Sequence, residues 1–182
     1  MNPYKIFTFI IIIIAIIFIS FWVVKSYTNE PEMDYTITDF ESCALNANVI
    51  LESYPRQCRT ADGRTFVEDI GNELEKIDLI KIDNPRPNQI ITSPLTITGQ
   101  ARGTWYFEAT FPVVLVDQND NVIAQHYAQA QGEWMTEDFV PFTSELTFVQ
   151  PSTPTGKLIF KKDNPSGLPE NDDELIVPVQ FE

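Results

Sequence analysis

Three patterns of hydrophobicity follow one another along the chain. Ile6 to Val24 is apolar apart from Thr8 and Ser20. At 1.5 Å per residue this run matches the roughly 30 Å hydrocarbon core of a bilayer, so the first expected element is a single transmembrane helix. Its isoleucine-rich centre forms helix poorly in water, but a lone span in lipid has no other way to pair its backbone. Residues 26–40 are polar, contain Pro31 and keep no period, the pattern of a short tether. From Asp83 to Glu182 apolar and polar positions alternate with the period of two of half-buried strands.

Individual strands follow from that alternation. In Leu95 to Gly99 the apolar side chains fall on odd positions. Next, Trp105, Phe107, Ala109, Phe111, Val113 and Leu115 are expected on one face, with Pro112 marking a bulge, corner or edge. Asp117 to Asn121 reads as a turn, and Val122, Ala124, Ala128 and Ala130 share the face of the strand that follows. Val140, Phe142, Leu146 and Phe148 form one further set, and Leu175, Val177, Val179 and Phe181 another. With Ile90–Ile91 and Lys157–Lys162 this makes about seven short strands in about a hundred residues, the size and spacing of an immunoglobulin-like β-sandwich. The fold class expected is therefore all-β, with little helix.

Charge changes the picture beyond the apolar run. The chain carries 12 basic and 26 acidic residues, a net charge of -14. All the acids follow the run, and only Lys5 and Lys25 of the bases lie before residue 26, so residues 26–182 hold 10 bases against 26 acids, or -16. Such a surface repels phosphate backbones, and Lys161–Lys162 is too short a basic stripe to reverse that; no nucleic-acid partner is expected. Lys5 and the α-amino group before the run, against Glu30, Glu32 and Asp34 soon after Lys25, point to a cytoplasmic N-terminus and an exported remainder. The run is longer than the apolar core of a cleaved signal peptide and no small-residue cleavage site follows it, so an uncleaved signal-anchor in a cell membrane is expected.

The two cysteines, Cys43 and Cys58, precede the strand-rich region. In an oxidising compartment they are expected to bond to each other, since no C-x-x-C spacing or second histidine suggests a redox or metal role. The stretch from Cys58 to Val67 reads as a hairpin, its tight turn supplied by Asp62–Gly63. The domain plan is then residues 1–25 for the cytoplasmic tip and span, 26–40 for the linker, 41–76 for a small cysteine-clasped hairpin element, and 77–182 for the sandwich. The sandwich has no core disulfide and depends on aromatic packing.

Several sequence words in the sandwich are distinctive. Gly99-Gln100-Ala101-Arg102-Gly103-Thr104-Trp105-Tyr106-Phe107-Glu108-Ala109 resembles the signature of the immunoglobulin-like domain of bacterial spore-germination proteins, a family found beside the GerMN domain. So do Ala128 to Met135, Asp163 to Gly167, and Ser93-Pro94-Leu95 ahead of the first glycine. The resemblance covers roughly residues 77–182 and implies a β-sandwich module of bacterial envelope or spore-coat proteins, without a known catalytic site.

Chemistry is sparse. His126 is the only histidine and its neighbours form no nucleophile or metal motif, so a packed or rim position is expected. Glu108, Glu133, Glu137 and Asp138 lie beside aromatic residues, which 26 acids produce by chance; a carboxylate hydrolase is the least favoured reading. The acidic stretches Asp117–Asn121 and Glu170–Glu174 offer oxygen ligands but not the EF-hand spacing, which leaves a calcium-stabilised adhesion or spacer module as the alternative to a binding module. No cofactor, catalytic residue or metal ligand is assigned. Tyr106 and Trp134, aromatic and next to flexible glycine, are the candidate partner surface, and the expected partner is a wall polymer or an envelope protein.

Overall fold

The computed structural model describes residues 36–46 and 48–182. The expected span at Ile6–Val24 lies outside them, as does most of the tether; among the described residues no helix is long and apolar enough to cross a membrane.

The cysteine-bearing part comes first. It consists of helix α1 (Phe40–Leu45) and strands β1 (Val49–Leu51), β2 (Gln57–Arg59) and β3 (Thr65–Val67), followed by the short helix α2 (Glu73–Lys76). Helix α1 begins where it does because Asp39 and Ser42 cap it reciprocally: the Asp39 carboxylate accepts the Ser42 N–H at 2.8 Å while Ser42 Oγ accepts the Asp39 N–H at 3.2 Å. That cap moves the start of this element ahead of the expected boundary at residue 41. Cys43 on α1 is bonded to Cys58 on β2, as expected, and both are fully buried. The hairpin is also present, β2 pairing antiparallel with β3 through a turn in which the Thr60 N–H donates to the Arg64 carbonyl and the Gly63 N–H to that of Thr60, both at 3.0 Å. Strand β1, which short-range alternation did not suggest, adds to the other side of β2.

Eight strands form the sandwich: β4 (Ile80–Asn84), β5 (Ile90–Ile91), β6 (Leu95–Arg102), β7 (Thr110–Asp117), β8 (Val122–Ala130), β9 (Phe139–Leu146), β10 (Thr155–Lys161) and β11 (Glu174–Phe181). Their order is β4-β6-β9-β8-β7-β10-β11-β5, antiparallel except for β5 against β11. Strands β8 and β9 pair through only two residue pairs, Gln129 with Thr143 and Ala130 with Phe142. At that narrow join the sheet folds over itself, and the inward side chains of both halves make one core: Ile97 and Phe142 from one side, Phe111, Leu115, Phe160 and Val177 from the other. The strand missing from the sequence count is β4.

The alternation holds where ladders are long. Leu95, Ile97 and Ala101 are buried, as are Val140, Phe142 and Leu146, and likewise Leu175, Val177, Val179 and Phe181. It fails in two places. The expected strand from Trp105 is a 3-10 turn over Gly103–Trp105 and then a tight turn, so β7 starts only at Thr110; Phe107 is exposed. A register shift between Leu115 and Val116 puts Val122 out of phase, leaving it 64% exposed although Ala128 is buried. Pro112 stands where the β10 ladder has ended, since β10 reaches only to Val113, so its missing N–H disrupts no pairing on that side.

Residues 39–182 form one compact unit, with the cysteine element docked on the sandwich. Asn72 bridges them: its Nδ2 donates to the Glu174 carbonyl at 3.0 Å and its Oδ1 accepts the Ile176 N–H at 2.7 Å. It serves the edge of β11 where β5, paired only with Gln180 and Phe181, does not reach.

Candidate recognition surface

One end of the sandwich gathers the distinctive words of the sequence. Strand β6 delivers Arg102 to this end, where Nε donates to the Asp78 carbonyl at 3.0 Å and Nη1 to that of Glu137 at 3.1 Å. The guanidinium lies 4.1 Å from the centre of the Phe139 ring, and Lys81 Nζ lies 4.4 Å from the same centre. At Gly103 the backbone of residues 134–136 passes too close for any side chain. The Trp105 carbonyl accepts the Asp163 N–H at 3.0 Å, and the Ala109 carbonyl accepts the Ala130 N–H at 2.9 Å. Three separate stretches, 99–109, 128–135 and 163–167, are thus joined through backbone groups.

Between Phe107 and Thr110 the chain reverses in a tight turn whose central residues, Glu108 and Ala109, have φ of 48° and 64°. Left-handed backbone at two non-glycine residues is uncommon and is held here by the contacts of the Ala109 carbonyl. Asp163 lies near Glu108; burial pushes its carboxyl above the usual range, and the Glu108 charge adds to that.

The two aromatic candidates separate. Tyr106 is 4% exposed, its hydroxyl donates to the Val140 carbonyl at 2.7 Å and its ring packs edge-on against Phe111 at 5.2 Å. Its ring and hydroxyl are committed to the core, although it also lines a depression beside Trp134: the 3-10 turn rotates it inward, where strand alternation had turned it out. Its phenol is pushed up by burial. Trp105 is also buried, and its indole N–H has no hydrogen-bond partner among the described residues. Trp134 is half-buried and packs on the edge of the core, while the neighbouring Met135 is 74% exposed. The loop presenting them is braced by its own side chains, Glu133 Oε1 accepting the Met135 N–H and Thr136 Oγ1 that of Asp138. Trp134, Met135, Thr104, Tyr106 and Glu137 surround this shallow depression of about 500 Å³ over Gly103. Sequence reasoning missed Met135, whose exposure depends on how the loop crosses Gly103.

Residues 79–167 match the family model of the immunoglobulin-like domain of bacterial spore germination. The chain carries a domain of that family. No curated protein and no solved structure matches the chain. Within this spore-germination immunoglobulin-like domain the matched residues run from just before β4 to the loop after β10, so β11 and the cysteine element lie beyond the match. Its distinctive words are explained largely by packing: glycine at a close crossing, buried Trp105 and Tyr106, and carbonyls that tie turns together.

The remaining candidates are dispersed. His126 is exposed on β8, its Nδ1 3.0 Å from the Tyr127 carbonyl and 3.4 Å from Ser144 Oγ, in the gap where β8 and β9 part. In the 117–121 turn the Asp117 carboxylate already accepts the N–H groups of Asn119 and Asn121 and the Asn121 side chain, which holds its carboxyl below the usual range. In the 170–174 stretch Asp172 accepts from Asn164 and Asp173 pairs with Lys76 at 2.6 Å. Among the described residues no three potential ligands cluster as a metal site would need.

Proposed function

We propose that this chain is a membrane-anchored, extracytoplasmic binding module of a bacterial cell envelope, and that its spore-germination immunoglobulin-like domain recognises a wall polymer or envelope protein through the Trp134–Met135 loop. The observation that carries the reading is the exposure of Met135 beside a half-buried tryptophan above a depression, on a loop whose backbone is fixed by its own hydrogen bonds. An apolar pair held in place needs little ordering to bind, and tryptophan and methionine are enriched at contact surfaces. The apolar run Ile6–Val24 and the cationic residues around it support the anchor. The calcium reading is weaker, because Asp117, Asp120, Asp172 and Asp173 of the two acidic loops are committed to hydrogen bonds or ion pairs of their own.

Two measurements test this. The full chain in detergent micelles is sedimented with isolated cell-wall sacculi, alongside Met135→Ser and Trp134→Ala variants whose folding is checked by circular dichroism. Binding that both variants lose supports wall recognition; wild-type protein left in the supernatant turns the search to envelope proteins by crosslinking. A C-terminal tag resistant to protease on intact cells would refute the topology.

A further inference from the structure

A second surface lies mostly outside the matched domain. Helix α1, strand β3 and residues of the sandwich edge enclose a groove of about 460 Å³. One wall is apolar, built from Phe40, Ala44 and Leu45 of α1 with Val67 of β3. Leu45 is 72% exposed and Val67 56%, so two large aliphatic side chains stand open to solvent in the same groove.

The other side is acidic. Asp39, Glu41, Glu68 and Asp69 line it, and among the described residues Arg56 is its only cation. Arg56 is committed to Glu68, with Nε and Nη2 donating to its two oxygens at 2.8 and 2.6 Å. Among the described residues no cation of the groove is left to offset Glu41 and Asp69. The walls are also fixed in place: the disulfide and the Asp39–Ser42 cap hold α1, and Asn88 donates to Glu68 at 3.2 Å and to the Asp69 carbonyl at 2.7 Å. A groove held open in this way binds without the cost of assembling it.

We infer that this groove docks a peptide segment of a partner protein that carries apolar side chains next to lysine or arginine. The apolar side chains cover Leu45 and Val67, and the cation meets Glu41 and Asp69. Phosphate-bearing polymers are repelled by the same carboxylates, which separates this surface from any site for an anionic wall polymer. The inference goes beyond the Trp134 reading and stands if that reading fails.

The test uses the full chain in zwitterionic nanodiscs, with empty nanodiscs as the blank, and three fluorescent octapeptides: alternating leucine and lysine, leucine and glutamate, and serine and lysine. The leucine–lysine peptide is expected to bind at least tenfold more tightly than either of the others, and to slow hydrogen exchange in residues 39–45 and 65–69. Glu41→Lys/Asp69→Lys and Leu45→Ser/Val67→Ser are each expected to weaken it about tenfold. Glu145→Lys/Glu170→Lys makes the same charge change away from the groove and is expected to leave it within about twofold. Equal weakening by that control pair would reduce the effect to general charge attraction and overturn the inference. So would unchanged binding by the groove variants, or self-association of the chain that Leu45→Ser/Val67→Ser abolishes, since the groove would then be an interface between copies.

Discussion

A methyl group on Gly103 would lie 2.0 Å from the Thr136 carbonyl oxygen and 2.2 Å from that of Trp134. Both obstacles are backbone, so the 134–136 loop must move. Gly103→Ala is therefore expected to cost roughly 2–4 kcal/mol, the range of overpacked or strained sites, and to weaken any binding that depends on Trp134 and Met135. Urea denaturation checks the first part; a midpoint shift near zero would show that the loop is not pinned there. Tyr106 gives the complementary case. Tyr106→Phe removes the bond to the Val140 carbonyl and is expected to cost about 1 kcal/mol in the same measurement, with sacculus binding unchanged. Lost binding without lost stability would return Tyr106 to the recognition surface.

The elements differ in what holds them. Strands of the sandwich rest on apolar burial, whereas the cysteine element rests on a disulfide and two nearly buried carboxylates. Glu68 meets Arg56, and Glu73 meets Arg86 at 2.8 Å and the Tyr54 hydroxyl. The bonds from Arg56 hold the Glu68 carboxyl below its usual range, outweighing burial, which acts the other way. A carboxylate whose folded pKa is depressed contributes stability that is complete above its unfolded value, about 4.3, and is lost as pH falls through the lower folded value. Acid should therefore loosen this element below about pH 4, and the melting temperature of Glu68→Gln should fall less steeply than that of the wild type between about pH 6 and about pH 3. Parallel slopes would remove Glu68 from the account. Reducing Cys43–Cys58, which closes a separation of 15 residues, is expected to cost about 3 kcal/mol by the chain-entropy argument. The sequence could be read for the disulfide, for the hairpin and for the long ladders of β6, β9 and β11, because a turn dipeptide, a lone cysteine pair and a period of two are local signals. It could not be read for Arg56 with Glu68 or Arg86 with Glu73, which are 12 and 13 positions apart and share no motif. Trp105 to Ala109 misled for the opposite reason: the apolar alternation was real, but the chain spends it on a 3-10 turn and a left-handed reversal.

Taken whole, the cysteine element and the sandwich are joined at Asn72, at the Arg86–Glu73 pair and by the bonds from Asn88 to Glu68 and Asp69. Gly71 passes so close to β11 that an added Cβ would lie 1.9 Å from the Ile176 carbonyl, and its φ is 68°; Asn72 then occupies the edge of β11 as a further strand would. Because the cysteine element and the sandwich share these hydrogen bonds with the Arg86–Glu73 pair, they should melt together in a single calorimetric transition. Asn72→Ala leaves the Ile176 N–H and the Glu174 carbonyl without their side-chain partners, a loss of about 1–3 kcal/mol. It acts at the junction rather than within either part, so the expected result is a lower onset and two separable transitions, the first assigned to the cysteine element by its sensitivity to reductant. Two transitions already in the wild type would mean the parts are independent. A single transition in Asn72→Ala, merely shifted down, would mean that Arg86–Glu73, the Asn88 bonds and the packing at Gly71 couple them without it.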